Sequence, residues 1–418
     1  MGSKKILIIA PYWGNDTHVG CKRIKRFIRW FRSGNIEVIV IKAGIKESEE
    51  KKEWGYEITI KDPALKLGFN YAGEQYYSNS FSVLKSLLRK ILIVILIPDA
   101  QSIWANRILS NFLVKKHYPN ISHILSSNPP ESAHIASYKI ARKLNKKLII
   151  DMRDGWLDEP LSKAINKVPF RKTRERKLES KILKRADFIF VTSNDWKRLL
   201  NSRLIFTKDK TFVLTNGYPL KFDIIKVNKE KRDKILLFHT GKFTGSSSSR
   251  KINILLDILL GSLLNYQITG TIVLLGDLEP EELNLITGYR KKFFNFGWDI
   301  EFSKSISQKE MYEKLLSSDG LLLLSTSQAA VPSKFFEYIL TKKPIFALTP
   351  KNSAVWEIGN KLPQVFLMDY RDKNANDSSV TGFFDACKTG NVDSVIPEEF
   401  TDEYLSQIFF DSLGYEQK

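Results

Sequence analysis

The sequence has few cysteines, no recognisable metal motif and no kinase-type phosphate loop. Its two cysteines, Cys21 and Cys387, are too few for a disulfide framework, which favours a reducing compartment. No group of His, Cys, Asp and Glu has metal-ligand spacing, so we expect no metal and no other cofactor. The pattern Gly-x-x-x-x-Gly-Lys-Ser/Thr is also missing, which argues against a P-loop kinase.

Long apolar runs are missing as well. The segment 87–98 has seven uninterrupted apolar residues after two cations, far fewer than the roughly 20 needed to cross a bilayer. It could be a buried helix end, or it could enter a membrane interface beside a basic helix. That helix carries Lys22, Arg23, Lys25, Arg26 and Arg29. The stretch 6–10 is too short for a signal-peptide core. We therefore expect a cytoplasmic protein, with peripheral attachment to the inner face of the plasma membrane as an option.

Acidic residues are scarce in the first half of the chain. Residues 1–230 carry 44 Lys and Arg against 22 Asp and Glu, whereas residues 231–418 carry 21 against 24. A half this basic is typical of proteins that face membrane lipid, nucleic acid or a phosphorylated substrate. A solvated, lysine-rich surface would also fit, but a uniform bias would not leave the second half slightly acidic.

Short apolar runs alternate with helical patterns along the chain. A strand at 5–10, a helix at 19–32 and a strand at 36–41 form a βαβ opening. Further strands are predicted at residues 123–126, 147–151, 187–191, 211–214, 234–239, 271–275, 300–302, 320–324 and 344–348. The alternation predicts an α/β fold with two doubly wound, Rossmann-like domains facing each other across a cleft.

The charged stretch 226–234 predicts a linker between the two domains. We assign residues 1–228 to an N-terminal domain, 229–396 to a C-terminal domain, and 397–418 to a final helix that could pack back on the first domain. In open α/β sheets, ligands bind outside the carboxyl ends of the strands. Two such domains would present donor and acceptor sites across one gap.

The segment 331–338 is the most informative motif. It follows the leucine-rich strand 320–324, and Pro332 suits the first turn of a helix. The start of a helix offers free N–H groups and the positive end of a dipole, which together favour an anion. Lys334 adds a cation, and Glu337 lies on the same side of the helix. This pattern predicts a nucleotide-sugar pocket, although a surface Lys–Glu pair would give the same spacing.

Several motifs together resemble the GT-B glycosyltransferases, and among them the family-four retaining transferases that build bacterial surface polysaccharides. The resemblance extends over most of residues 4–365 and depends on the order and spacing of the motifs. They are Lys5–Pro11, Ser126–Pro130 with Ser132–His134, Asp151–Trp156, Asn216–Tyr218, His239–Phe243 leading to Arg250, and Pro332–Pro344. The resemblance implies an acceptor-binding first domain and a second domain that binds the nucleotide-sugar.

The resemblance also implies roles for residues of the second domain. Lys242, after Gly241, and Arg250, or its neighbour Lys251, match the basic residues that stabilise the leaving diphosphate, where negative charge grows during transfer. Ser333 and Lys334 match the phosphate-facing helix start, and Glu337 matches the glutamate that takes the ribose hydroxyls. Many relatives carry a second glutamate eight residues earlier. This chain has Ala329 there, so the group that contacts the transferred sugar is not identified.

The candidate site of the first domain follows its predicted strands. Asp154 is the candidate catalytic residue, although it could simply pair with its neighbour Arg153. Asp151 could bind the acceptor or cap backbone N–H groups, and His134 could be an ordinary helix residue. The candidate acceptor-binding residues are Gly14, His18, Asn128, His134, Asp151 and Arg153.

The leading hypothesis is a hexosyltransferase that moves a sugar from a nucleotide diphosphate, with uridine as the expected base. The acceptor would be a growing surface glycan or a lipid-linked glycan, and an anionic membrane surface is a further expected partner. A nucleotide-sugar 2-epimerase of the same fold is the alternative, and it would need no acceptor. A nucleic-acid-binding protein is a third hypothesis that depends on charge alone, and we expect no nucleic-acid partner.

Overall fold

The structure is a computed structural model. It describes residues 4–14, 19–67, 95–158, 169–220, 234–241, 252–263, 268–276, 278, 280–304, 306–372 and 378–415. The chain forms two compact units, one of residues 1–215 and 405–418 and the other of residues 216–404. The predicted domain boundary at residue 228 lies outside the described residues.

The first unit contains a mixed sheet. Its strands in the described residues are β1 Lys5–Ile9, β2 Glu37–Gly44, β3 Ser48–Lys52, β4 Gly55–Lys61, β5 Ile121–Asn128, β6 Lys147–Met152, β7 Phe188–Val191 and β8 Thr211–Val213. Their order is β3-β4-β2-β1-β5-β6-β7-β8. Only the β3–β4 pair is antiparallel among these. The sequence analysis missed β3, because the segment Ser48–Lys52 is charged and half exposed and carries no apolar alternation.

Helices cover this sheet. Those among the described residues before the second unit are α1 Val19–Ser33, α2 Ser102–Ile108, α3 Phe112–Lys115, α4 Ser132–Leu144, α5 Pro169–Arg185 and α6 Asn194–Arg203. Ser193 caps the start of α6, since its hydroxyl accepts the Trp196 N–H at 3.1 Å. Helix α5 was not predicted, because eight of its 17 residues are basic and no clear apolar stripe marks it.

The second unit contains a parallel sheet. Its described strands are β9 Ile235–Thr240, β10 Gly270–Leu275, β11 Trp298–Ser303, β12 Gly320–Leu324, β13 Ile345–Thr349 and β14 Val365–Asp369. They lie in the order β11-β10-β9-β12-β13-β14. Every residue of β12 and β13 is buried, as expected for strands covered on both faces. Strands β9 and β12 are parallel neighbours in the sheet, so their carboxyl ends lie side by side.

Six helices in the described part of the second unit accompany the sheet. They are α7 Ile252–Leu263, α8 Pro280–Phe294, α9 Gln308–Ser317, α10 Ser333–Leu340, α11 Ala354–Gly359 and α12 Ser378–Thr389. Helix α10 connects β12 to β13 and buries Phe335, Phe336 and Tyr338 completely. The tight packing of this helix fixes the direction of the polar side chains that lie between its apolar ones.

The C-terminal helix, α13 Asp402–Ser412, supplies aromatic residues to the core of the first unit. The Phe409 ring lies 5.2 Å from that of Phe27, 5.6 Å from that of Phe31 and 4.9 Å from that of Phe190. Aromatic pairs at such distances stabilise a core beyond the area they bury. Across the described residues, no helix has the length and apolar character that a membrane span requires.

Candidate functional site

Lys334, at the start of α10, lies against the carboxyl end of β9. Its ammonium group donates to the Thr240 carbonyl at 2.5 Å and lies 3.1 Å from His239 Nε2. A Cβ on Gly241 would lie 3.5 Å from the same ammonium group. The cation predicted to face phosphate is therefore held directly beneath the turn that follows β9.

His239 is oriented by the neighbouring strand. Its Nδ1 lies 2.9 Å from the Leu322 carbonyl, which can only accept, so Nδ1 carries a proton. The other nitrogen, Nε2, then accepts from Lys334 while the ring is neutral. Burial lowers the pKa of His239 well below its usual range, and the Lys334 charge lowers it further. Burial also lowers the pKa of Lys334 to about 7, while the Glu337 carboxylate opposes this shift.

Tyr338 holds the same strand end from the next turn of α10. Its hydroxyl accepts the Thr240 N–H at 2.9 Å and lies 3.1 Å from Thr240 Oγ1. Gly241 follows at φ +86°, and its N–H donates to the Leu275 carbonyl at 2.7 Å. A Cβ on Gly276 would come within 3.0 Å of the Gly241 backbone. Two glycines thus allow the ends of β9 and β10 to approach closely.

The first turn of α10 has the features of an anion-binding site. The sequence predicted Pro332 in the first turn of the helix. The structure places it one residue earlier, as the N-cap, in an extended conformation. The backbone N–H groups of Ser333 and Lys334 have no hydrogen-bond partner among the described residues. Free N–H groups at the start of a helix bind anions. Just before the helix, the Ser327 hydroxyl accepts the Ala330 N–H at 2.9 Å and orders the loop.

Glu337 is a buried carboxylate on the second turn of α10, with 6% of its surface exposed. Its charge contributes, after burial, to a raised pKa of Tyr312. The same charge favours the protonated form of Lys334. A carboxylate accepts hydrogen bonds through two oxygens with about four lone-pair sites, so this position has the acceptor chemistry that sugar hydroxyls require.

Three predicted site residues, Lys242, Arg250 and His18, lie outside the described residues. Lys242 comes directly after the Gly241 turn in the chain. Among the described residues, the structure brings together Gly241, Ser333, Lys334 and Glu337 at the ends of β9 and β12. The sequence analysis missed His239 and Tyr338 as partners of this group, because their hydrogen bonds join segments about 100 residues apart.

In the first unit, Asp151 forms a fully buried ion pair with Arg23 of α1. The Arg23 guanidinium reaches the carboxylate at 2.6–2.9 Å, and the Ser127 hydroxyl donates to it at 2.7 Å. Arg23 also donates to the carbonyls of Leu214 and Thr215. Neither Arg23 nor Ser127 was predicted from the sequence as a partner of Asp151. The Asp151 carboxylate is engaged in this network, and its acceptor-binding role stays a prediction.

Asn128 and Arg153 connect the carboxyl ends of β5 and β6. The Asn128 side chain accepts the Arg153 N–H at 2.9 Å and donates to the Asp154 carbonyl at 3.2 Å. The Arg153 guanidinium donates to the Asn128 carbonyl at 2.6 Å and stacks over the Tyr12 ring at 5.0 Å. Arg153 therefore pairs with backbone and an aromatic ring, whereas the sequence had suggested an ion pair with Asp154 as an option.

His134 is fully buried on α4. Its Nδ1 lies 2.8 Å from the Ser126 hydroxyl, and its ring lies 6.1 Å from that of Trp156. The ring nitrogens His134 Nε2 and Trp156 Nε1 are buried without a hydrogen-bond partner in the described part. Burial lowers the pKa of His134 to about 3, so the ring is neutral. Buried polar atoms without a protein partner are positions at which water or a polar ligand atom can bind.

Three carboxyl groups of the first unit lie close enough to interact electrostatically, namely those of Asp99, Glu131 and Asp154. Burial raises the pKa of Glu131 to about 8, and the charge of Asp99 raises it further. Burial raises the pKa of Asp99 to about 6 and also raises that of Asp154. Glu131 therefore holds a proton near neutral pH and can exchange it with a substrate. Neither Asp99 nor Glu131 was singled out from the sequence.

Gly14 lies in the loop after β1 at φ +94°, a conformation that favours glycine. A Cβ there would lie 3.1 Å from Lys42 Nζ, which itself pairs with Glu57 at 2.5 Å. The close approach explains why the loop requires glycine, and it leaves the predicted acceptor contact as a prediction. In the described residues, no three His, Cys, Asp or Glu side chains are grouped as a metal site would require.

No protein-family model and no curated protein matches the sequence. Solved structures do match over almost the whole chain. Sucrose-phosphate synthase from Thermosynechococcus elongatus has a TM-score of 0.61 at 12% identity, over 98% of this chain and 97% of that one. Anabaena HepE, solved with UDP and glucose, has a TM-score of 0.57 at 13% identity, over 98% and 99%.

An epimerase is also similar. The UDP-GlcNAc 2-epimerase from Neisseria meningitidis, solved with UDP-GlcNAc, has a TM-score of 0.52 at 12% identity, over 98% of this chain and 99% of that one. These similarities and the two α/β units define a protein of the GT-B fold class, which confirms the predicted fold class. At such low identity the similarity establishes the fold alone.

Proposed function

We propose that the chain is a glycosyltransferase that moves a sugar from a uridine diphosphate donor to a growing surface glycan or a lipid-linked glycan. The observation that carries this proposal is the group formed by Gly241, Ser333, Lys334 and Glu337 at the carboxyl ends of β9 and β12. It combines free N–H groups, a cation and a buried carboxylate at one strand edge. Diphosphate and ribose need those three features.

In the proposed donor complex, the diphosphate lies at the start of α10 and at the Gly241 turn. The N–H groups of Ser333 and Lys334 bind phosphate oxygens, and Glu337 accepts the ribose hydroxyls. Lys242 and Arg250 neutralise the charge that grows on the leaving diphosphate, which replaces a divalent metal. Lys334 supports the turn through Thr240 and adds positive charge beneath the diphosphate, while its ammonium group keeps its two protein partners.

The acceptor is proposed to bind at the ends of β5 and β6 in the first unit. Asp154 is the proposed catalytic carboxyl, because burial raises its pKa above the ordinary range of an aspartate, as suits a group that exchanges protons. Retention of the anomeric configuration follows the family resemblance. The similarity to HepE, which was solved with UDP-glucose, supports a uridine donor. The similarity to sucrose-phosphate synthase supports sugar transfer.

The first test is a thermal-shift panel with UDP, GDP, ADP and CDP, followed by UDP-sugars. A ligand that binds only the folded protein raises Tm by an amount that grows with its concentration relative to Kd. We expect UDP to give the largest shift, and UDP release from a UDP-sugar to require an acceptor. Equal small shifts for all four nucleotides would reject the donor site.

The 2-epimerase remains the second candidate, because the Neisseria enzyme is similar and because Asp99 and Glu131 supply proton-holding carboxyl groups. The two candidates differ in the need for an acceptor. Epimerisation of UDP-GlcNAc in the absence of any acceptor, detected by NMR, would favour the epimerase, and acceptor-dependent UDP release would favour the transferase.

A further inference from the structure

Helix α5 turns its acidic residues inward and five of its eight cations outward. Glu175 and Glu179 are 6% and 0% exposed. Glu175 lies 2.7 Å from Arg171, and Glu179 lies 2.8 Å from Arg203, which is also bound to Asp158. Carboxylates on a helix at the protein surface usually face water. Here both are neutralised inside, so the outer surface of the helix carries no negative charge.

The outer surface of α5 is cationic along its length. Its exposed residues are Phe170, Thr173, Arg174, Arg176, Lys177, Lys181 and Lys184. Within the described part of the chain, the five cations among them have no carboxylate within ion-pair distance. Arg174 lies over the Phe170 ring at 4.1 Å, and Lys181 lies 5.7 Å from the Tyr138 ring. The spacing of residues 170, 174, 177, 181 and 184 puts them on one side of the helix.

Exposed apolar side chains lie at the first turn of α5 and in the segment 205–210, which Lys210 connects to the last turn of α5. Phe170, at the first turn, is 64% exposed. At the other end, Lys210 donates to the Lys184 and Ala186 carbonyls and lies 5.7 Å from the Phe206 ring. Ile205, beside Phe206, is 79% exposed. The α5 face is defined here as Phe170, Arg174, Lys177, Lys181 and Lys184 together with Ile205 and Phe206.

We propose that the α5 face binds an anionic lipid bilayer, an inference that rests on the proposed function because a lipid-linked acceptor lies at such a surface. Head groups of anionic lipids match the row of cations, and the layer beneath them accepts apolar side chains. A linear polyanion would match the cations alone. Ile205 is aliphatic and cannot stack on a base, so the combination favours a lipid surface.

The basic helix α1, which the sequence suggested for this role, is less suitable. Arg23 and Arg26 are buried, at 5% and 4% exposure, and Arg23 is engaged by Asp151. Lys25, Arg29 and Arg32 remain exposed. These three cations provide a matched control, since they are also exposed on one helix of the same unit.

The test is flotation with vesicles of phosphatidylcholine, with and without added phosphatidylglycerol. Each basic side chain near an anionic bilayer strengthens binding roughly fivefold. The variant K177Q/K181Q/K184Q should therefore bind anionic vesicles at least roughly tenfold more weakly than the wild type. The variant K25Q/R29Q/R32Q should stay within about threefold, because only net charge changes. In high salt, the variant I205S/F206S should bind the vesicles more weakly than the wild type does.

Equal losses in the two triple variants would overturn the proposal, since net charge alone would then explain binding. Vesicle binding that is unaffected by I205S/F206S, with equally tight binding of heparin, would overturn it in favour of a polyanion partner. Each variant is checked for its UDP thermal shift. A variant that loses vesicle binding but keeps its UDP shift has lost only the lipid contact of the α5 face. Absence of a UDP shift in the wild type would instead contradict the proposed function.

Discussion

Lys334 and His239 form a hydrogen-bonded pair of 3.1 Å at the end of β9, although 94 residues separate them in the chain. The imidazole accepts because its other nitrogen donates to the Leu322 carbonyl on β12. The ammonium group also binds the Thr240 carbonyl. Two strands and helix α10 are thus connected through one cation, directly below the Gly241 turn.

Replacement of Lys334 by Met should weaken UDP binding at least roughly tenfold, which corresponds to about 1.4 kcal/mol. The substitution leaves the Thr240 carbonyl and His239 Nε2 without their partner, so the Gly241 turn loses its support. Isothermal titration with UDP measures the change. The matched control is Lys361→Met, an exposed lysine of the same unit, which should bind as the wild type does. Equal affinities in both variants would contradict the supporting role of Lys334.

Replacement of Glu337 by Gln should weaken UDP binding by roughly 10- to 100-fold, because hydrogen bonds to a charged group are worth about 1.5–3 kcal/mol. The sharper measurement compares UDP with its 2′,3′-dideoxy analogue. The wild type should prefer UDP strongly, whereas Glu337→Gln should bind the two ligands with similar affinity. Glu310→Gln, on the exposed start of α9, serves as the control and should keep the wild-type preference. A preference that survives in Glu337→Gln would place the ribose elsewhere.

Replacement of Arg23 by Met should destabilise the first unit by about 3–5 kcal/mol, because Asp151 is left as a buried, unpaired charge. Urea unfolding followed by circular dichroism measures this change. Lys25→Met, two residues along the same helix and exposed, should have little effect. The double variant R23M/D151N should recover part of the loss, since it removes the charge that lacks a partner. If R23M unfolds at the same urea concentration as K25M, the ion pair contributes no stability.

The fold class could be predicted from the sequence, because buried parallel strands such as Gly320–Leu324 are continuous apolar runs that local reading detects. Antiparallel strand β3 and helix α5 could not, because charged residues cover most of their length and no apolar period marks them. Their formation depends on contacts with distant elements.

The candidate site could be predicted in part. Ser333, Lys334 and Glu337 share one helix start, and helical spacing places them together from the sequence alone. The partners of Asp151 and Lys334 could not be predicted in the same way. Arg23 and Asp151 are 128 residues apart, and any of the many basic residues of the first half could have paired with that carboxylate. Only the strand order brings α1 to the end of β6.

The stability of the first unit should depend on pH through Glu131. Its pKa is about 8 in the folded chain against about 4.5 for an ordinary glutamate, so folding favours the protonated form. Its stabilising contribution is therefore complete below about pH 4.5 and is lost as the pH rises through 8. Replacement by Gln, which stays neutral, should remove this loss.

The measurement is the free energy of unfolding of wild type and Glu131→Gln at pH 5 and pH 9. Because the Glu131 side chain keeps some contact with solvent, we expect the variant to gain only about 1 to 2 kcal/mol over the wild type between the two pH values. The neighbouring Asp99 titrates in both proteins and so largely cancels from the comparison. Glu310→Gln, which removes an exposed carboxylate, should give a curve parallel to the wild type. A parallel curve for Glu131→Gln as well would mean that this carboxyl is ionised in the folded chain at neutral pH, and it could then not supply a proton to a bound sugar.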